Sequence, residues 1–238
     1  MDDKVLNIRY RFFLQDERRL DFDIKLDPCT LNQVDDFTGH PPDWAALTFH
    51  QCSNCPLNSL VSPYCPVALR IIKLMEGSSG LESYEKVRLE VVTPERTVSK
   101  DTTAQGGISS LLGLIVATSG CPHTGFFKPM ARFHLPFSSE AETIYRASSM
   151  YLLAQYFIRK QGGEADFELE GLVEIYRNLQ MVNTALAARL RAASEKDAAV
   201  NAVVLLDSFA KILPYTIADS LDEIRHLFMP FLVRDEEQ

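Results

Sequence analysis

Between residues 6 and 26 apolar and polar side chains alternate with a period of two. Leu6, Ile8, Tyr10, Phe12 and Leu14 are interleaved with Asn7, Arg9 and Arg11, and Leu20, Phe22, Ile24 and Leu26 with Asp21, Asp23 and Lys25. Such alternation fits a strand with one face on a core and one in water. The polar stretch Gln15–Arg19 between the two runs predicts a hairpin. A third strand is expected over Trp44–Gln51. Lys86–Val92 and Arg96–Lys100 bracket Thr93-Pro94-Glu95 and predict a second hairpin. One short helix, Ala68–Glu76, is expected between these pairs, stopped by Gly77-Ser78-Ser79-Gly80.

From about residue 101 the period becomes helical. Ile108–Ala117 is largely apolar and reads as a buried helix, although periodicity alone does not separate it from a buried strand. Ser139-Glu140-Ala141-Glu142 has capping-box spacing and opens an amphipathic run to Lys160, with Gly162-Gly163 as its stop. Further helices are predicted over Asp166–Ala193, over Ala198–Leu213 up to Pro214, and from the capping box Ser220-Leu221-Asp222-Glu223 to Met229, before Pro230. The expected fold class is α+β: a small N-terminal antiparallel sheet with one short helix, then a mainly helical, bundle-like C-terminal half. Residues 1–100 form the β-rich subdomain and residues 101–238 the helical one. The boundary is soft, because the cysteines tie the two into one compact unit.

The charge balance narrows the partners. With 24 Lys and Arg against 32 Asp and Glu the formal net charge is −8. Both halves are acidic, so non-specific binding to nucleic acid or to an anionic membrane is not expected. Met1-Asp2-Asp3-Lys4 lacks the apolar core of a secretory signal. The apolar stretch Leu111–Ala117 falls far short of the ~20 residues of a membrane helix. The expectation is a cytoplasmic protein whose partner is another protein or a second copy of itself.

Four of the five cysteines look like metal ligands. Cys52 and Cys55 form a Cys-x-x-Cys, Cys65 follows, and Cys121 lies far downstream; Cys29 is the odd one out. A two-residue spacer lets two thiolates converge on one ion. Cys55, Cys65 and Cys121 are each followed by proline, which removes a backbone donor and stiffens the chain leaving the ligand. His50 and His123 stand two residues from Cys52 and Cys121, so a Cys₃His set is also available. The leading reading is a closed Cys₄ zinc site; an iron–sulfur cluster is the alternative, favoured by the Cys-Pro repeats. Buried packing thiols or a redox dithiol would explain the same residues without a metal. A thiol-dependent enzyme using Cys121, with His123 beside it, is a third reading.

Other candidates have structural explanations that compete with function. Glu223 and His226 have the spacing of a di-iron ligand pair, but a second such motif is missing from the sequence. Gln105–Ser110 could cradle an anion on free amides, yet it reads better as a helix entry. Phe126–Pro136 mixes aromatics with Lys128, Arg132 and His134, and either lines a pocket or plugs the interface between sheet and helices. Tyr145, Tyr151, Tyr156 and Arg146 are similarly open, with Glu142 one turn away as the expected partner of Arg146.

The segments Phe49-His50-Gln51-Cys52-Ser53-Asn54-Cys55-Pro56-Leu57, Tyr64-Cys65-Pro66-Val67-Ala68 and Ala117-Thr118-Ser119-Gly120-Cys121-Pro122-His123-Thr124 resemble a family of bacterial proteins of uncharacterised function. The likeness continues through Phe133–Pro136 and Glu142–Ala147 and so covers most of the chain. It implies a bacterial, non-secreted protein and carries no activity, cofactor or substrate.

Overall fold

The structure is a computed structural model that describes residues 5–34, 39–193, 199–204, 207 and 221–232. Strands β1 (Leu6–Leu14) and β2 (Arg19–Leu26) form the first hairpin. After a loop, α1 (Pro66–Ser78) leads to the second hairpin, β3 (Lys86–Val92) and β4 (Thr97–Thr103). Then follow α2 (Ala104–Thr118), the short α3 (Lys128–Arg132), α4 (Glu140–Lys160) and α5 (Glu170–Ala193). Residues 199–204 are helical as well. The sheet order is β2-β1-β3-β4, antiparallel throughout. The result is the expected α+β arrangement, an antiparallel sheet followed by a mainly helical half.

The alternation does what its period demands. Ile8, Tyr10, Phe12 and Leu14 are buried on one face, joined by Ile24 and Leu26 from β2 and by Val87, Leu89 and Val91 from β3. The opposite face carries charge, and its cross-strand pairs include Arg11 with Glu90 at 2.7 Å. Helix α2 lies directly on the apolar face. A Cβ at Gly107 would stand 2.6 Å from the Phe12 ring and 3.1 Å from Leu89 Cδ2, so glycine sets this close approach. One core cluster draws residues from both halves, from Ile8 to Val203.

Several boundaries differ from the sequence expectation. Trp44–Gln51 is not a strand. Asp43–Ala45 is a 3-10 turn and Ala46 makes one isolated bridge, to Tyr64. The carbonyls of Trp44 and Ala46 are taken by the Arg189 guanidinium from α5, so they are not available to a sheet ladder. Helix α1 starts earlier than expected because Pro66 suits a first helical turn. It also runs through Gly77, where a Cβ would meet the Phe22 ring at 2.9 Å.

Helix α2 begins at Ala104, with the Thr103 hydroxyl accepting from the Gly106 amide, and β4 extends to Thr103. Helix α5 begins at Glu170, not Asp166: Leu169 is left-handed (φ 63°), and the Asp166 carboxylate accepts from Gly171 N and Tyr151 Oη. At the C-terminal end Pro230 does not stop the chain. Arg225–Phe228 is a 3-10 turn, and Met229–Leu232 adds a helical turn that Pro230 enters near its start. Ser220, and all of the Ala198–Leu213 helix except residues 199–204 and 207, lie outside the described residues.

Candidate metal centre

Three short pieces of backbone bring the cysteines together. The Cys-x-x-Cys is one tight turn, closed by Cys55 N donating to the Cys52 carbonyl at 3.1 Å. That turn docks on α5, where Asn54 Nδ2 donates to Asn178 Oδ1 at 2.8 Å. Cys65 caps the N-terminus of α1, and its amide donates to the Ala45 carbonyl at 2.9 Å. Cys121 follows the C-terminal end of α2, where Gly120 turns the chain with φ at +90°. The turn after it is fixed by Thr124, whose hydroxyl donates to the Val116 carbonyl at 2.7 Å. His123 links the two loops, its Nε2 standing 2.7 Å from the Asn54 carbonyl.

The thiols feel one another. Burial pushes Cys52 up to about 12, and the neighbouring Cys65, Cys121 and Cys55 each add to the rise, with Arg189 opposing it. Burial also raises Cys121, partly offset by donors from His123 and Thr124. Backbone amides aimed at a sulfur are what a metal-bound thiolate accepts. For an activated nucleophile, in contrast, the thiol should be held down, not pushed up.

Near enough to act on the thiols is Arg189 of α5, only 2% exposed. Its guanidinium donates to the carbonyls of Trp44 and Ala46, stacks 5.8 Å from the Phe49 ring centroid, and interacts electrostatically with Cys65, Cys52 and Cys55. Among the described residues it has no carboxylate partner within ion-pair distance. Isolated buried cations are costly, and here two backbone carbonyls and the face of the Phe49 ring offset that cost. The four cysteines are thus neighbours of the right chemistry, but they are not a ready-made cage. Among the described residues no three His, Cys, Asp or Glu side chains already stand in ion-holding geometry.

The remaining candidates resolve differently. His50 is exposed, left-handed at φ 45°, with its ring edge-on to Phe49. Cys29 is exposed in a turn held by the Asp27 carboxylate. His226 is exposed and its Nδ1 lies 2.9 Å from the Glu223 carbonyl of its own turn. The amide of Gly106, in the proposed anion cradle, is spoken for by Thr103.

Of the aromatics in Phe126–Pro136 only Phe127 is buried, while Phe126 and Phe133 are exposed; the segment lines a cavity through Phe127, Met130 and His134 among others. Arg146 does not pair with Glu142 as expected. Glu142 closes the capping box on Ser139 N at 2.7 Å, while Arg146 donates to the Met130 and Phe133 carbonyls and the Ser138 hydroxyl. Sequence reasoning missed Arg189. Its signal was an arginine among apolar residues, between Ala188 and Leu190, on a buried helical face.

Among the described residues no helix is long and apolar enough to cross a membrane. The chain matches no curated protein and no solved structure. Residues 8–229 match the sequence profile of one family, and across that span the chain belongs to the family described as Domain of unknown function (DUF6901).

Proposed function

We propose that Cys52, Cys55, Cys65 and Cys121 hold one zinc ion, and that the ion clips the loop before α1 to the turn after α2. The observation that carries this reading is that four cysteines from three separate segments, and the buried Arg189 guanidinium, lie close enough to act on one another electrostatically. Zinc would require the sulfurs to be drawn to one point, since they do not stand in ion-holding geometry without it. Each thiol would lose its proton on binding, and Arg189 would offset part of the net negative charge of a zinc tetrathiolate. A site closed by four protein ligands leaves no open position for substrate, so the role is structural.

The protein is then a binding or regulatory protein whose helical half meets a protein partner or a second copy. The exposed apolar side chains Leu152, Leu153, Tyr156 and Phe157 of α4 support that part of the reading. The test is elemental analysis of untagged protein purified without oxygen or added metal, with its absorption spectrum alongside. About one zinc per chain and no visible colour is the expected result. Iron with sulfide and absorption near ~400 nm would replace zinc by an iron–sulfur cluster and make the function redox sensing or electron transfer. Absence of any metal would overturn the proposal. Cys121→Ser should lose the metal and lower the melting temperature, whereas Cys29→Ser should do neither.

A further inference from the structure

A second feature, independent of the cysteines, lies between α2, the segment Phe127–Ser138, α4 and α5. It is a cavity of about 430 Å³, within the size range of small-molecule sites. Its walls are largely apolar, with Leu114, Val116, Phe127, Met130 and Leu179 among them. Its charged side chains are of one sign. Lys100 and Arg146 line it, and no Asp or Glu does so among the described residues, although the chain as a whole is acidic.

Arg146 uses Nη1 on the Ser138 hydroxyl and Nη2 on the Met130 and Phe133 carbonyls. Those are neutral partners, and among the described residues no carboxylate lies within ion-pair distance of it. Burial lowers its pKa, with Glu142 acting only at a distance. The second observation is Asn183. It is 2% exposed, it forms part of the wall, and its Nδ2 is a buried donor with no hydrogen-bond partner among the described residues. A buried amide donor without a partner is costly in a folded protein, and such groups ask for an explanation.

An occupant that satisfies both groups has an acceptor for Asn183, a negative charge for Arg146 and an apolar body for the walls. We propose that this cavity binds a small amphipathic monocarboxylate, with its carboxylate facing Arg146 and Asn183 and its chain along Leu114, Phe127 and Leu179. The cavity lies beside the Tyr10–His134 hydrogen bond (2.6 Å), which supports one of its walls from the sheet side. His134 is half-buried and burial holds it down at about 4, with Arg146 as a second cause, so it stands neutral at pH 7 and does not compete for the carboxylate as a cation.

Decanoate is the probe, with decanol as its uncharged counterpart, each titrated calorimetrically into the full chain at pH 7. Saturable binding of one decanoate is expected, with decanol about tenfold weaker or more, since the alcohol brings Arg146 no negative charge. The Asn183 side-chain amide protons should shift in the NMR spectrum as decanoate is added, a readout that needs no variant. Leu179→Trp fills the apolar end and should abolish binding while the helical circular dichroism stays unchanged. Arg146→Gln should weaken decanoate about tenfold and leave decanol alone. No saturable binding of decanoate, equal affinity for decanol, or an Asn183 amide that does not move on saturation would each overturn the proposal.

Discussion

The four-stranded sheet and the loop over residues 39–65 are held by different physics. In the sheet, side chains such as Tyr10, Phe12 and Leu89 are fully buried against α2, and the backbone groups pair along ladders from Leu6 to Thr103. Burial of that much apolar surface is enough to order the chain. The loop has no ladder beyond the Ala46–Tyr64 bridge, and its buried apolar residues reduce to Ala45 and Leu47. It is fixed instead from outside. Arg189 takes its carbonyls, Asn178 takes the Cys-x-x-Cys turn, and His123 reaches the Asn54 carbonyl. A segment with so little apolar burial stays ordered only while each of those polar contacts is satisfied, and a bound ion would be the strongest of them.

The comparison breaks most sharply at Phe12. Phe12→Ala empties the space beneath Gly107 and should cost about 3–5 kcal/mol in urea unfolding. The metal bound per folded chain should stay at its parental value; loss of metal together with the sheet would mean that the two regions are not separately held. Arg189→Met is the converse test. It strands the Trp44 and Ala46 carbonyls and should cost about 2–4 kcal/mol. Amide exchange should speed up over residues 44–65 and stay slow in β1 and β3. Uniformly faster exchange would put Arg189 in the common core.

The third expectation concerns the seam between sheet and helices. His134 titrates near 6.5 when unfolded and at about 4 when folded, where burial disfavours its charged form. A lowered folded value means that the histidine's contribution is complete above about pH 6.5 and is lost as the pH falls toward 4. The amount is on the order of 2 kcal/mol once solvent screening is allowed for. His134→Gln should therefore flatten the stability profile between pH 6.5 and 4, read as urea midpoints relative to the parent. An unchanged slope would place the acid sensitivity in the carboxylates instead. The smallest effect is expected far from both regions. Ser139→Ala removes the capping hydroxyl of α4 and should cost about 1 kcal/mol, without altering metal content or exchange in the loop.

Much of this was legible along the chain. The strands Leu6–Leu14 and Arg19–Leu26 and the hairpin around Pro94 follow from a period of two, because each strand has one wet face and one dry one. The α4 capping box is equally local, since Ser139 and Glu142 need only each other's backbone. Trp44–Gln51 misled because apolar composition suggests a strand but does not supply a neighbour to pair with. Glu142 misled in a similar way: two local partners, Ser139 N and Arg146, competed for one carboxylate, and the cap lies closer in the chain.

The sequence by itself determined the class of fold and the alternating core of the sheet. Those depend on period, composition and short spacing, which are properties of neighbouring residues. Only the tertiary structure decided that Arg189 takes the Trp44 and Ala46 carbonyls, that Arg146 turns to the carbonyls of Met130 and Phe133, and that Asn183 has a donor without a partner among the described residues beside a cavity. Each of these depends on which long side chain reaches which distant backbone group once the helices have packed. Burial makes those encounters decisive, because away from water a polar group must take whatever partner the fold puts within reach.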